Sequence, residues 1–142
     1  MCIFLCLGYK PKESEILIIG DSISIGYFSK VKEAMADKAI VMHNPENAQH
    51  TETGLVKIKD WIGNEDWDII QLNWGLWDIC YRHPDSKVFG NRDKIKGNIT
   101  YDLQTYRQNL EELLRILKAH NSAKLIFVTT TYVPVNEAGR FT

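Results

Sequence analysis

The residues able to do chemistry begin at Gly20-Asp21-Ser22. The apolar run Ile16-Leu17-Ile18-Ile19 stops at Gly20, and a helical pattern starts just after Ser22. A serine at a sharp strand-to-helix junction presents its hydroxyl above the sheet edge. The first N–H groups of the helix point at the same place and favour negative charge there. An acyl-transfer nucleophile needs that geometry: a hydroxyl to attack the carbonyl and donors for the oxyanion. Asp and Ser are also ordinary helix N-caps, so the tripeptide alone leaves capping open. The nucleophile-elbow pattern G-x-S-x-G fails because Ser24 stands where its second Gly belongs. Neither a Gly-Lys-Ser/Thr phosphate loop nor a G-x-G-x-x-G fingerprint follows the strand.

The other reactive side chains are dispersed. Cys2, Cys6 and Cys80 are odd in number and lack C-x-x-C spacing, so neither a disulfide framework nor a zinc site is implied. His43, His50, His83 and His120 show no metal-ligand spacing. No metal and no cofactor are expected. With 17 basic and 18 acidic residues, the 142-residue chain carries neither a nucleic-acid stripe nor a basic membrane face. Residues 2–9 are apolar but too short to span a bilayer, which leaves the compartment open.

The elements that must position these residues alternate. Residues 16–19, 39–42, 69–72 and 124–128 are short β-branched or apolar runs that predict strands. Helical periodicity covers residues 23–36, with Ile25, Phe28, Val31 and Met35 on one stripe. It returns over 54–62, with Leu55, Ile58 and Ile62, and Thr51 or Thr53 available as cap. It is clearest over 101–120, through Leu103, Tyr106, Leu110, Leu113, Leu114 and Leu117. Residues 79–100 show no periodicity and read as a long functional loop. Strand–helix alternation without a hairpin signal predicts a single α/β domain, a mostly parallel sheet between helical layers. Ligands of such sheets bind at the carboxyl ends of the strands. Ser22, the loop holding Asn47 to Gln49, the loop from Asn73 to Asp78, and Thr129 to Thr131 all follow strands and are expected on one rim.

Gly20-Asp21-Ser22, with Gly26 a few residues on, resembles the first block of the GDSL/SGNH hydrolases, a family of esterases, lipases and carbohydrate deacetylases. Asn47-Ala48-Gln49-His50-Thr51 with Gly54-Leu55 resembles the second block, and Gly75-Leu76-Trp77-Asp78 the third. The resemblance implies a three-layer α/β/α flavodoxin-like fold and an acyl-enzyme on Ser22, with Asp21 beside it in the catalytic block. It implies an oxyanion hole from the N–H groups of Ser22 and Ala48. Ala48 stands where the family usually has Gly, and Trp77 where it has the oxyanion Asn; Asn73 is the other candidate for that donor. Asn47, Gln49, Gly75 and Asp78 are implied at the substrate. The substrate implied is a small acyl ester, such as an acetyl group on a sugar.

The family's closing Asp-x-x-His block, which supplies the base, has no counterpart in the sequence. The expectation is therefore a domain over residues 1–142 truncated at its C-terminus, lacking the last strand and its helices, and inactive or weak alone. His50 and His83 are the remaining candidates for a base, although a solvated loop histidine is the plain reading of His50. A strand left at the edge with apolar faces uncovered would promote self-association. The competing expectations are a non-catalytic module of the same fold that holds a glycan, and a flavodoxin-like domain that binds an anion at the Gly20–Ser22 turn.

Overall fold

The structure is a computed structural model that describes residues 12–85, 92–137 and 139. The N-terminal apolar stretch, with Cys2 and Cys6, lies outside the described residues. Strands and helices alternate in the order β1 (Ser14–Ile19), α1 (Ser22–Ala34), β2 (Ala39–His43), α2 (Thr51–Ile62) and β3 (Ile69–Leu72). The two-residue strands β4 (Tyr81–Arg82) and β5 (Asn98–Ile99) come next, then α3 (Leu103–His120) and β6 (Lys124–Phe127).

The main sheet has four strands in the order β2-β1-β3-β6, and all its pairs are parallel. Chain order reverses beside β1, because β2 lies on one side of it and β3 on the other. Every strand therefore ends on the same rim, and Ser22 follows the strand at the switch point. The α/β fold expected from the sequence is the fold observed.

Side chains of β1 alternate between two cores. Leu17 and Ile19 join Ile70, Leu72, Ile58, Trp61, Leu113 and Leu117 beneath α2 and α3. Ile16 and Ile18 join Ala39, Val41, Tyr27, Phe28, Val31 and Met35 beneath α1. Burial on both faces explains the unbroken apolar run of β1. One stripe residue is corrected: Ile25 is 49% exposed, and Ser24 occupies the buried position on α1. Leu103 is likewise exposed, at the first position of α3.

The long loop is also corrected. Residues 79–100 contain β4 and β5, paired antiparallel through Tyr81 with Ile99 and Arg82 with Asn98. Two residues per strand are too few to establish an alternating pattern.

Strand β6 forms one border of the sheet, and Ile126, Phe127 and Val128 remain substantially exposed there. An apolar groove of about 160 Å³ runs beside it, lined by Leu72, Trp74, Leu110, Leu113, Leu114 and Phe127. A border strand whose charge is confined to Lys124 at its start, with an apolar remainder, is a template for further pairing. Sedimentation velocity on this chain should show concentration-dependent association, weakened by Ile126→Lys. A chain that remains monomeric at every concentration would count against that expectation.

Candidate active site

The rim is built around Gly20. Its N–H donates to the Asn44 side-chain oxygen (3.0 Å), and its carbonyl accepts the Ala48 N–H (3.0 Å). Asn44 N donates to Ile18 O and Asn73 N to Ile19 O, both at 3.0 Å. The end of β1 is thus tied to the loop after β2 and to the loop after β3. A Cβ on Gly20 would sit 2.6 Å from the Ser24 hydroxyl oxygen, so glycine is required by close approach.

Ser22 is the first residue of α1 and is exposed. Its hydroxyl and its N–H have no hydrogen-bond partner among the described residues. The N–H is one of the donors that every helix start leaves unused. Asp21 is the N-cap: its carboxylate accepts the Ile23 N–H at 2.9 Å, and its side chain is buried. Asp21 therefore shapes the turn and does not stand beside Ser22 as a reactive group.

The loops after β2 and β3 meet at the end of β1, and their polar groups are engaged as follows. The Ala48 N–H is spent on Gly20, and Ala48 is fully buried, so it does not serve as an oxyanion donor. Its neighbour Gln49 has φ 51°, a left-handed backbone, and its N–H is held at 2.9 Å by the Asn47 side-chain oxygen. Asn73 donates from Nδ2 to the Val128 carbonyl at 2.7 Å, which ties the β3 loop to the border strand. Asn73 and Ile23 line one cavity of about 60 Å³, with Tyr27, Leu76 and Val128, so Asn73 borders the first turn of α1. Trp77 does not line that cavity; the Arg82 guanidinium lies 4.7 Å from its ring centroid. Of the two oxyanion candidates, Asn73 is the one that shares a cavity with Ile23, the residue after Ser22.

Gly75 and Asp78 hold structure instead of meeting solvent. Gly75 has φ 145°, and a Cβ there would lie 2.1 Å from the Thr130 methyl carbon. Asp78 is fully buried. Its Oδ1 accepts the Thr51 N–H (3.0 Å) and the Thr51 hydroxyl (2.6 Å), and Asn109 of α3 donates to that hydroxyl in turn (2.9 Å). Asp78, expected at the substrate, is directed inward to Thr51. Trp74 completes the brace: its indole N–H reaches Ala48 O at 3.2 Å, and Tyr106 donates to Trp74 O at 3.0 Å. Burial raises Tyr106 to about 12, with the Asp78 charge adding to the shift.

The histidines are committed elsewhere. His50 caps α2, where its Nδ1 accepts the Thr53 N–H at 3.3 Å. In the neutral ring the second nitrogen then carries the hydrogen, so neither nitrogen has a free lone pair in this arrangement; burial lowers the His50 pKa and favours that neutral form. His83 accepts from Asp85 N at 3.2 Å, and His120 lies on the last turn of α3 against Ile116 O. His43 is the surprise. Its Nε2 stands 2.7 Å from the buried Ser24 hydroxyl, and its Nδ1 2.8 Å from the Asn44 carbonyl. Ser24, His43 and Asn44 escape the sequence reading; the one available signal is that His43 directly ends the second strand.

The chain shares its fold with a protein of known structure. That protein, described provisionally as an acylhydrolase from Bacteroides fragilis, matches with a TM-score of 0.57 at 17% sequence identity. The match covers 83% of this chain and 49% of the other, so the chain spans about half the length of the structure it resembles. No family model matches the sequence, and no curated protein matches it. Among the described residues, no group of acidic, Cys and His side chains is arranged to hold a metal. No described helix is long and apolar enough to cross a membrane.

Asp78 gives a pH test of the brace. Burial raises its pKa above the ordinary carboxylate value, against the opposing Thr51 hydrogen bonds, and its Oδ2 has no partner. The folded chain then holds this proton more tightly than the unfolded chain. Its contribution is full below the ordinary carboxylate pKa and is lost as pH rises through the raised value. Denaturant unfolding should show wild-type stability falling relative to Asp78→Asn between acid and neutral pH. A gap that is constant across that range would contradict a raised Asp78.

Proposed function

We propose that the chain carries the acyl-binding half-site of a serine ester hydrolase of the GDSL/SGNH type. The observation that carries this reading is Ser22: exposed, hydroxyl unpartnered among the described residues, on the first turn of a helix at the switch point of a parallel sheet. In the proposed reaction Ser22 Oγ attacks the acyl carbonyl, a C–O bond forms, and the alcohol leaves. The oxyanion is held by the Ser22 N–H and by the Asn73 Nδ2 hydrogen that is not given to Val128 O and otherwise makes only a 3.5 Å contact with Thr129 O. Losing one such donor costs about 2.7–4 kcal/mol of transition-state stabilisation. The helix start at Ser22 adds favourable dipole at the same place.

The cavity beside Ile23 and Asn73, about 60 Å³, supports a short acyl group such as acetyl. An O-acetylated carbohydrate is the proposed substrate class. Asn47 and Gln49 are the proposed contacts to its alcohol side, because both are partly exposed on the loop after β2. The proton of Ser22 goes to a general base outside the described residues, since each described histidine is engaged with another group.

The Trp77–Arg82 stack favours a second reading, a non-catalytic module that holds a glycan or an anion on the same rim. Aromatic faces and guanidinium groups are used for such binding without any nucleophile.

The two readings separate on 4-nitrophenyl acetate. The good 4-nitrophenolate leaving group eases acylation, whereas deacylation still needs a base to activate water, so the acyl-enzyme should accumulate. Intact mass spectrometry should find a single acetyl group on the wild type, mapped to Ser22, and none on Ser22→Ala. Acetylation confined to lysines, or unaffected by Ser22→Ala, would remove the hydrolase reading.

A further inference from the structure

The Ser24 hydroxyl oxygen lies 2.7 Å from His43 Nε2 and 2.8 Å from the Asp21 carbonyl oxygen, and it has one proton to give. His43 Nδ1 faces the Asn44 carbonyl, which can only accept, so Nδ1 carries a hydrogen whether the ring is neutral or charged. In the neutral ring Nε2 is a bare lone pair, and both neighbours of Ser24 compete for one hydroxyl proton. In the imidazolium, Nε2–H donates to Ser24, Ser24 donates to Asp21 O, and every group is satisfied. The Ser–His distance is that of a nucleophile–base pair, but Ser24 is 1% exposed and no substrate can reach it.

We propose that Ser24 and His43 are a positioning pair for the Ser22 turn, in which the proton count of His43 decides whether Ser24 binds Asp21 O or His43 Nε2. The functional half of this proposal rests on Ser22 being the nucleophile. Asp21 O immediately precedes Ser22 and also accepts the Ile25 N–H at 3.1 Å, the first bond of the α1 ladder. When Ser24 also donates to that oxygen, the junction is fixed at two points; when Ser24 turns to His43, it is fixed at one. His43 itself is steadied by the Phe28 ring, 5.4 Å away between centroids. Among the charged groups on the elements around the ring, Lys32 of α1 lies over Phe28, the Asp21 carboxylate caps α1, and Glu46 of the following loop pairs with Lys57 of α2; α1 also carries Lys30 and Glu33, and β1 carries Glu15. On β1, the residue paired with His43 is the apolar Ile18.

The wild type tests the coupling without any substitution. Nuclear magnetic resonance over a pH series should show the Ser22, Ile23 and Ile25 amides moving together with the His43 ring signals. In Ser24→Ala those amides should cease to follow the ring. His43→Gln places a permanent N–H donor near Nε2, so its turn amides should be insensitive to pH. Amides that stay still while His43 titrates, or that follow it equally in Ser24→Ala, would overturn the proposal. For the functional half, Ser22 acetylation should slow about tenfold in Ser24→Ala, a typical penalty for a loosened reactive group, and should persist in His43→Gln. Equal rates in wild type and Ser24→Ala would overturn that half. Absence of acetylation from the wild type itself would instead remove the hydrolase reading, and the amide titration would still decide the coupling.

Discussion

The structure depends on how Gly20 is held. Its N–H and its carbonyl are both bound to the loop after β2, through Asn44 and Ala48, while Ile19 O takes Asn73 from the loop after β3. These bonds join residues far apart in the chain at largely buried positions, where leaving a polar group unpaired costs about 1–3 kcal/mol. The turn is therefore held by two other loops at once. Only a residue without Cβ lets the Ser24 hydroxyl come as close as it does. Ser22 inherits its exposure and its unspent N–H from that clamp rather than from contacts of its own.

A second brace works at greater depth. Thr51 at the start of α2 and Asp78 after β3 share a buried hydrogen-bonded pair, and Asn109 extends it to α3. Trp74 lies between the Ala48 carbonyl and Gly54, with its indole N–H satisfied. Polar and aromatic groups thus fix the loops from below, leaving the upper surface to Ser22, Asn47, Gln49 and Trp77. Asp78 retains one unpartnered oxygen for this service, and its raised pKa is the electrostatic consequence.

Much of this was legible in the sequence because burial writes periodicity. The four strands of the main sheet and the three helices stand within a few residues of where the apolar patterns place them. The shared rim follows from strand–helix alternation alone. Helix starts were less legible: His50 caps α2 instead of Thr51 or Thr53, and α3 starts at Leu103 behind the Asp102 cap, two residues after the start of the helical pattern at Tyr101. Local spacing also misassigned Ile25, because the buried face of α1 turns Ser24 inward and leaves Ile25 on the side that meets solvent. The contacts that reassign the candidate site are tertiary. Ala48 to Gly20 and Ser24 to His43 join residues far apart in the chain, and no local pattern encodes them. A main-chain donor is least legible of all, because its availability depends on which carbonyl faces it.

The most direct measurement is residue-resolved amide hydrogen exchange at this turn, in the wild type and in Asn44→Ala. If Gly20 is clamped as described, the Gly20 and Ala48 amides exchange nearly as slowly as the β1 core, Ser22 exchanges fast, and Asn44→Ala selectively releases Gly20. Gly20 and Ala48 amides that exchange as freely as Ser22 in the wild type would contradict the clamp, and with it the account of how Ser22 is presented.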